Sequence, residues 1–215
     1  MIRSSFFLFL LELSPLSIIQ QSSNNMIIYD KVMWKVNSFL NARILKKNAA
    51  QTSNYMIYGR IFVKNKMGVL KIGSNFLCNS GPSYNPIGRG DRTRLSVDKG
   101  ATLTIGKDVG ISNSTIICAT SVSIGNKVLI GGGCCLWDTD FHSIDPAIRE
   151  EDFSAGSRMA PIIVEDNVFI GAGTIVLKGV SIGRNSVVGA GSVVAKSIPS
   201  NEVWAGAPAR FIRAL

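Results

Sequence analysis

Val164-Glu-Asp-Asn-Val168-Phe-Ile170-Gly-Ala-Gly-Thr174-Ile-Val176-Leu-Lys-Gly-Val180-Ser-Ile182-Gly-Arg-Asn-Ser186-Val-Val188-Gly-Ala-Gly-Ser192-Val-Val194 is the stretch that decides the fold. An aliphatic residue returns at every sixth position: Val164, Ile170, Val176, Ile182, Val188 and Val194. Its neighbour is small at Gly171, Gly183, Gly189 and Ala195, and a second row follows at Val168, Thr174, Val180, Ser186, Ser192 and Ile198. A strand alternates faces every two residues and a helix returns about every 3.6, so a strict six matches neither. It matches a coil with three flat sides, each a short strand and a turn, the aliphatic residue inward and the small one allowing the turn. Stacked coils pair their backbones above and below and bury one continuous aliphatic column.

The phrase recurs upstream, as Ile105-Gly-Lys-Asp-Val-Gly with Ile111 and Ile117, and as Ile124-Gly-Asn-Lys-Val-Leu with Ile130 and Leu136. A further copy stands at Ile72-Gly-Ser-Asn-Phe-Leu, and the register slips by one between Ile117 and Ile124. A β-sandwich would give alternation at variable spacing rather than sixfold registry. The expected fold is an all-β solenoid over 57–203, with 204–215 as a C-terminal tail.

The run Pro161-Ile-Ile-Val-Glu-Asp-Asn-Val-Phe-Ile-Gly-Ala-Gly, then Val187-Val-Gly-Ala-Gly-Ser-Val-Val and Trp204-Ala-Gly-Ala-Pro-Ala-Arg210, resembles the hexapeptide-repeat acyltransferases. Their coil is a left-handed parallel β-helix, an exception to right-handed crossovers, and the handedness expected here comes from that resemblance. The ending resembles the sugar O-acetyltransferase branch, which includes maltose and galactoside acetyltransferases. The resemblance runs from residue 57 to residue 213. It implies acetyl-CoA as acyl donor and a homotrimer with sites between subunits.

The rhythm fails between Leu136 and Val164, whose spacing of 28 residues is not a multiple of six. The interruption, Trp137-Asp-Thr-Asp-Phe-His142-Ser-Ile-Asp-Pro followed by Arg149-Glu-Glu-Asp and Ser154-Ala-Gly-Ser-Arg158, is polar and charged, so a loop near 137–161 should be extruded. His142 is the chain's one histidine. A lone histidine is more often structural, but this one sits where the repeat fails, in a D-x-D-F-H-S pattern similar to the His-bearing segment of polysaccharide acetyltransferases. A sugar hydroxyl is too weak an acid to attack a thioester unaided, and a general base supplies about 10²–10⁴-fold. His142 is the expected base. Asp138 and Asp140 are candidates to orient it or to hold an acceptor hydroxyl, with loop capping as the alternative role. Arg149, in the same loop, is a candidate acceptor contact.

The resemblance implies further site residues. Ser112 and Asn113 lie near the position of an acceptor-binding side chain. An oxyanion donor is expected near Gly171 and Ala172. Positions matching Ala172, Ala190, Ala195, Arg210 and Arg213 contact the cofactor in the galactoside branch; this chain has Phe169 where Trp is frequent and Ala172 where Ser is. Lys178, Lys196, Arg210 and Arg213 are candidates for the cofactor's phosphates. No metal is expected. A hydratase of the γ-carbonic anhydrase type needs three histidine ligands, and one is present.

The formal charge is +9, but the cations are scattered singly or gathered near the two ends, without the basic–aromatic interleaving of a nucleic-acid groove. Cys78, Cys118, Cys134 and Cys135 form no C-x-x-C pair and read as small apolar residues of a reducing compartment. Residues 1–25, with Phe6-Phe-Leu-Phe-Leu-Leu11, are expected to be a leader or upstream extension outside the fold, Met26 being an alternative start. The segment 26–56 should be helical, with Val32, Val36, Phe39, Leu40 and Ile44 on one face. That face should cap the first coil; docking on an anionic membrane is the second option.

The expected function is acetyl transfer to a hydroxyl of a small-molecule or oligosaccharide sugar acceptor in bacterial surface-polysaccharide synthesis. The expected location is cytoplasmic, with the inner face of the membrane as a peripheral site. Two alternatives stay open, an N-acetyltransferase acting on an amino-sugar nucleotide and a non-enzymatic carbohydrate-binding solenoid.

Overall fold

The computed structural model describes residues 15–87, 92–153 and 155–215. Its coils form three sheets. The first holds β1 (Gln51–Thr52), β4 (Val69–Ile72), β7 (Thr102–Ile105), β10 (Ser121–Ile124), β13 (Ile162–Val164) and β16 (Ser181–Ile182). The second holds β2 (Tyr55–Gly59), β5 (Phe76–Ser80), β8 (Gly110–Ser112), β11 (Leu129–Ile130), β14 (Phe169–Ile170), β17 (Val187–Val188), β19 (Glu202–Gly206) and β20 (Ala209–Ala214). The third holds β3 (Phe62–Asn65), β6 (Arg94–Val97), β9 (Thr115–Cys118), β12 (Cys135–Trp137), β15 (Ile175–Val176) and β18 (Val193–Val194). The chain visits first, second and third sheets in turn, and stacked strands pair in parallel up to β19. This is a left-handed parallel β-helix.

The period of six is one side of the coil. Ile105, Ile124, Val164 and Ile182 stack in register on the first side, Ile111, Ile130, Ile170 and Val188 on the second, and Ile116, Leu136, Val176 and Val194 on the third. All of them are buried. The second row, Val168 to Ile198, turns inward at the corners and is buried too. Where the residue after the aliphatic one is glycine it admits the neighbouring coil: a Cβ on Gly171 would stand 2.5 Å from the backbone nitrogen of Ala190. At the corners between first and second sheets the left-handed position is held by asparagines, φ 60° at Asn167 and 62° at Asn185. Their amides bond along the stack, Asn167 to Asn185 at 3.2 Å and Asn185 to Asn201 at 2.7 Å.

Four expectations change. Ile116, not Ile117, points inward, because the corner at Asn113–Ser114 is one residue short; the side from Ile116 to Ile124 is then longer than six, so the slip is spread over both. The coils begin before residue 57, at β1 and β2, and 204–215 is no free tail. β20 folds back antiparallel on β19 and ends the second sheet. The helix α1 runs Pro15–Lys47, past the expected boundary at 25, since no Gly or Pro interrupts Leu16 to Lys47. Residues 1–14 of the expected leader lie outside the described residues.

The fourth change is the face α1 presents. Asn37, Asn41 and Leu45 are buried, whereas Val32, Val36 and Phe39 are exposed. The first coil has no coil beneath it and leaves backbone groups unpaired, so a polar helix face suits that end better than an apolar one. Asn41 donates to Gly59 O at 2.9 Å and accepts from Ile61 N at 3.2 Å. Asn48 accepts from Asn65 N at 2.9 Å.

Candidate functional site

The loop at 138–161 leaves the third sheet after Trp137 and returns to the first at Ile162. Its base is closed by an antiparallel bridge between Thr139 and Met159, flanked by Asp140 N to Arg158 O and Ala160 N to Asp138 O, both 3.0 Å. Phe141 takes the left-handed conformation, φ 65°, and redirects the chain so that His142 stands exposed. Beyond it α2 (Pro146–Glu151) is capped by Asp145, which accepts from Ala147 N at 2.9 Å.

His142 Nδ1 lies 2.6 Å from the carbonyl oxygen of Phe153. A carbonyl only accepts, so Nδ1 carries the proton and the Nε2 lone pair is available to accept another. That is the tautomer a general base needs. Arg149 donates from Nη1 to Ser143 O at 2.6 Å, fixing the backbone beside His142. Arg149, expected as an acceptor contact, thus braces the loop through this bond.

The two aspartates separate. Asp138 is fully buried, and its carboxylate accepts from Ala119 N at 2.6 Å, Thr120 N at 2.8 Å and Ser121 N at 2.7 Å. It holds the adjacent corner, the capping role, and no hydrogen bond joins it to His142 among the described residues. Asp140 forms an ion pair with Lys178 at 2.7 Å. Lys178, expected to meet a phosphate, is thus held by a carboxylate of the loop.

A second interruption was not foreseen. From Gly81 to Ile87 the chain leaves the corner that follows β5, before the third sheet is entered at β6. Asn113, buried, accepts from Gly81 N at 2.7 Å and donates to Asn85 O at 3.1 Å and to Ile87 O at 3.4 Å. Tyr84 stacks on Tyr58 with ring centres 6.4 Å apart. The expected acceptor residues are thus engaged internally: Asn113 anchors this loop, and Ser112 accepts from Asn79 Nδ2 at 3.3 Å. The signal was the turn-rich Gly81-Pro-Ser-Tyr-Asn-Pro, which separates two copies of the repeat.

Ile87 of this loop, with Asn113, Thr115, Cys135, Ala172 and Ile175, lines a groove of about 400 Å³ on the third face. Gly171, Ala172 and Ala190 follow the same edge; Gly171 N donates to Val188 O at 2.8 Å, leaving Ala172 as the remaining expected oxyanion donor. Ala195 and Lys196 are exposed on the opposite edge of that face, the one from which the His142 loop springs. Arg210 and Arg213 are exposed on β20. The cofactor candidates therefore divide between both edges of one face and the end of the stack. Burial pushes the thiols of Cys78 and Cys118 up to about 12 and raises that of Cys134, so all three stay protonated near neutrality.

Comparison with known proteins fits this geometry. Residues 161–196 match the hexapeptide repeat of succinyl-transferase. The galactoside O-acetyltransferase of Lactococcus lactis subsp. lactis (strain IL1403) is 42% identical over 96 residues, 45% of this chain and 44% of that protein. The chain is similar to the hexapeptide-repeat acyltransferases. A galactoside acetyltransferase solved with coenzyme A superposes on this chain with a TM-score of 0.51 at 28% identity, covering 80% of this chain and 67% of that one. An N-acyltransferase from Bacillus cereus shares the fold, with a TM-score of 0.60 at 22% identity over 79% of this chain and 86% of that one. This hexapeptide-repeat chain spans about half the length of the curated relatives it matches.

Proposed function

We propose that the chain is an acetyl-CoA-dependent O-acetyltransferase acting on a sugar hydroxyl, with His142 as general base. The observation that carries this reading is the Nδ1 hydrogen bond to Phe153 O, which turns a basic Nε2 outward from an extruded loop. Nε2 takes the hydroxyl proton as the sugar oxygen bonds to the thioester carbonyl carbon. The C–S bond then breaks, and the proton passes to the departing thiolate, so no covalent enzyme intermediate is needed. Ala172 N–H is the assigned oxyanion donor. Exposed Lys196, Arg210 and Arg213 are the cations assigned to the donor's phosphates, and the small residues Ala172 and Ala190 leave room for its narrow arm.

The site is best read as shared between copies of the chain. His142 and the Ala172 groove border the third face from opposite edges, so packing of two copies would bring one copy's base to the other's groove. A row of exposed apolar residues on the second sheet, Met56, Leu77, Leu129 and Phe169, supports a homotrimer, because a patch of this kind marks an interface. The curated relatives' sugar acceptors support surface-polysaccharide synthesis as the setting, and the buried thiols of Cys78, Cys118 and Cys134 suit a cytoplasmic location.

The test is release of free thiol from acetyl-CoA against a panel of sugars, lipid-linked glycans and amino-sugar nucleotides. Turnover with a hydroxyl acceptor that His142→Ala abolishes is expected. Turnover confined to amino-sugar nucleotides would assign N-acetyl transfer instead, and a solution mass of one chain would overturn the shared site.

A further inference from the structure

The outward face of α1 has an unusual make-up. Val32, Val36 and Phe39 follow the i, i+4, i+7 spacing of one helix stripe and are 53%, 42% and 60% exposed. Lys31, Lys35, Arg43, Lys46 and Lys47 are all exposed on the same helix, and the guanidinium of Arg43 lies 5.4 Å from the centre of the Phe39 ring. From residue 30 to 47 the one acidic side chain is Asp30. None of these five cations has an ion pair among the described residues. The helix cannot hide its apolar stripe by turning over, because Asn37, Asn41 and Leu45 are already fixed against the first coil. Among the described residues, no helix is long and apolar enough to cross a membrane.

We propose that this face docks on the surface of an anionic lipid bilayer. The chemistry is complementary on both counts. The lysines and Arg43 meet headgroup phosphates, while Val32, Val36 and Phe39 enter the boundary with the acyl chains. A second copy of the chain is a poor occupant: it would bring a cationic face against a protein of net charge +9. Nucleic acid would match the cations but has no use for a stripe of Val, Val and Phe. Docking by α1 sets the coils on the bilayer with their first turn lowest.

The test uses the full chain and co-sedimentation with vesicles of phosphatidylglycerol and phosphatidylcholine, against vesicles of phosphatidylcholine alone. Binding to the anionic vesicles, weakened by salt, is expected. The combined variant Val32→Ser, Val36→Ser, Phe39→Ser and the combined variant Lys35→Glu, Arg43→Glu, Lys46→Glu should each lower the partition about tenfold or more. These side chains are exposed, so both variants should melt with the parent; if the apolar one does not, the charge variant decides. Failure to bind anionic vesicles, or partition unchanged in the charge variant, overturns the proposal. So does a change of solution mass in the apolar variant, which would mean that another copy covers the face. Equal binding to single-stranded DNA with no dependence on Val32, Val36 and Phe39 would assign the cations to nucleic acid.

Discussion

The loop anchored by Asn113 and the loop carrying His142 both leave the coils at an edge of the third face, yet they are built differently. The described contacts of the first go to the stack: Gly81, Asn85 and Ile87 are held by Asn113 of a later coil, and Tyr84 rests on Tyr58. The second is tied to the stack at its base, by Asp138 and the Asp140–Lys178 pair, and beyond that base its contacts are its own: His142 with Phe153, Arg149 with Ser143 and Ala147 with Asp145. A segment bonded to the scaffold makes a wall. One bonded to itself makes a platform, which can present a side chain away from the scaffold while fixing its tautomer. The first loop is therefore read as shaping the groove, and the second as supplying the reactive group.

The strongest way to break this comparison is His142→Ala. Loss of a general base should lower kcat by about 10²–10⁴-fold. Stability should change little, because the imidazole is exposed and, among the described residues, has one bond, to Phe153 O. Steady-state kinetics beside thermal melting would separate the two. Asp138→Ala should do the reverse in origin: with three backbone N–H groups deprived of their buried acceptor, it should cost about 3–5 kcal/mol of stability, read by denaturant unfolding. Activity lost in Asp138→Ala without loss of stability would mean that the carboxylate serves the chemistry after all.

How far each loop could be read in the sequence follows from where its partners lie. The strict row from Val164 to Val194 declares the coil, because every side there is six residues long. The second loop declares itself by breaking that row with a polar run around the one histidine. The role of Asp138 was hidden, since its partners are backbone groups of 119–121, which no side-chain pattern records. The adjacent Ile116 and Ile117 are equally apolar, so only the short corner at Asn113 decides which faces inward. The first loop was hidden by the looser upstream copies, where a missing aliphatic residue does not stand out. The face of α1 was misread because apolar periodicity assumes an apolar partner. The end of a β-helix offers unpaired backbone instead.

Asn113→Gly sharpens the comparison from the other side. Glycine keeps the left-handed backbone at position 113, φ 41°, and removes only the amide that holds the first loop. Stability should fall by about 2 kcal/mol. If Ile87 is a wall of the groove, KM for acetyl-CoA or acceptor should rise several-fold while kcat changes less. An unchanged KM would detach the first loop from the site.

The smallest effect concerns two thiols, one at the foot of each loop. Cys78 bonds with Thr93, where the first loop rejoins the coils, and Cys118 feels the negative charge of Asp138 at the base of the second. Burial, the larger cause at both, raises them from 9.0 to about 12. The fold keeps each proton over a range in which the unfolded chain has released it, so stability is intact below pH 9 and declines as pH rises towards 12. Each thiol contributes a slope of about 1.4 kcal/mol per pH unit in that window. Alkaline unfolding followed by denaturant titration should therefore flatten in Cys78→Ala and in Cys118→Ala. The two loops part again in the double variants. Removing the Asp138 charge should lower the Cys118 thiol and leave Cys78 unmoved, whereas freeing the first loop through Asn113→Gly should let water reach Cys78 first. Thiolate absorbance appearing at the same pH for both cysteines in both variants would show that the loop bases open as one unit, and that the division between wall and platform stops at the surface.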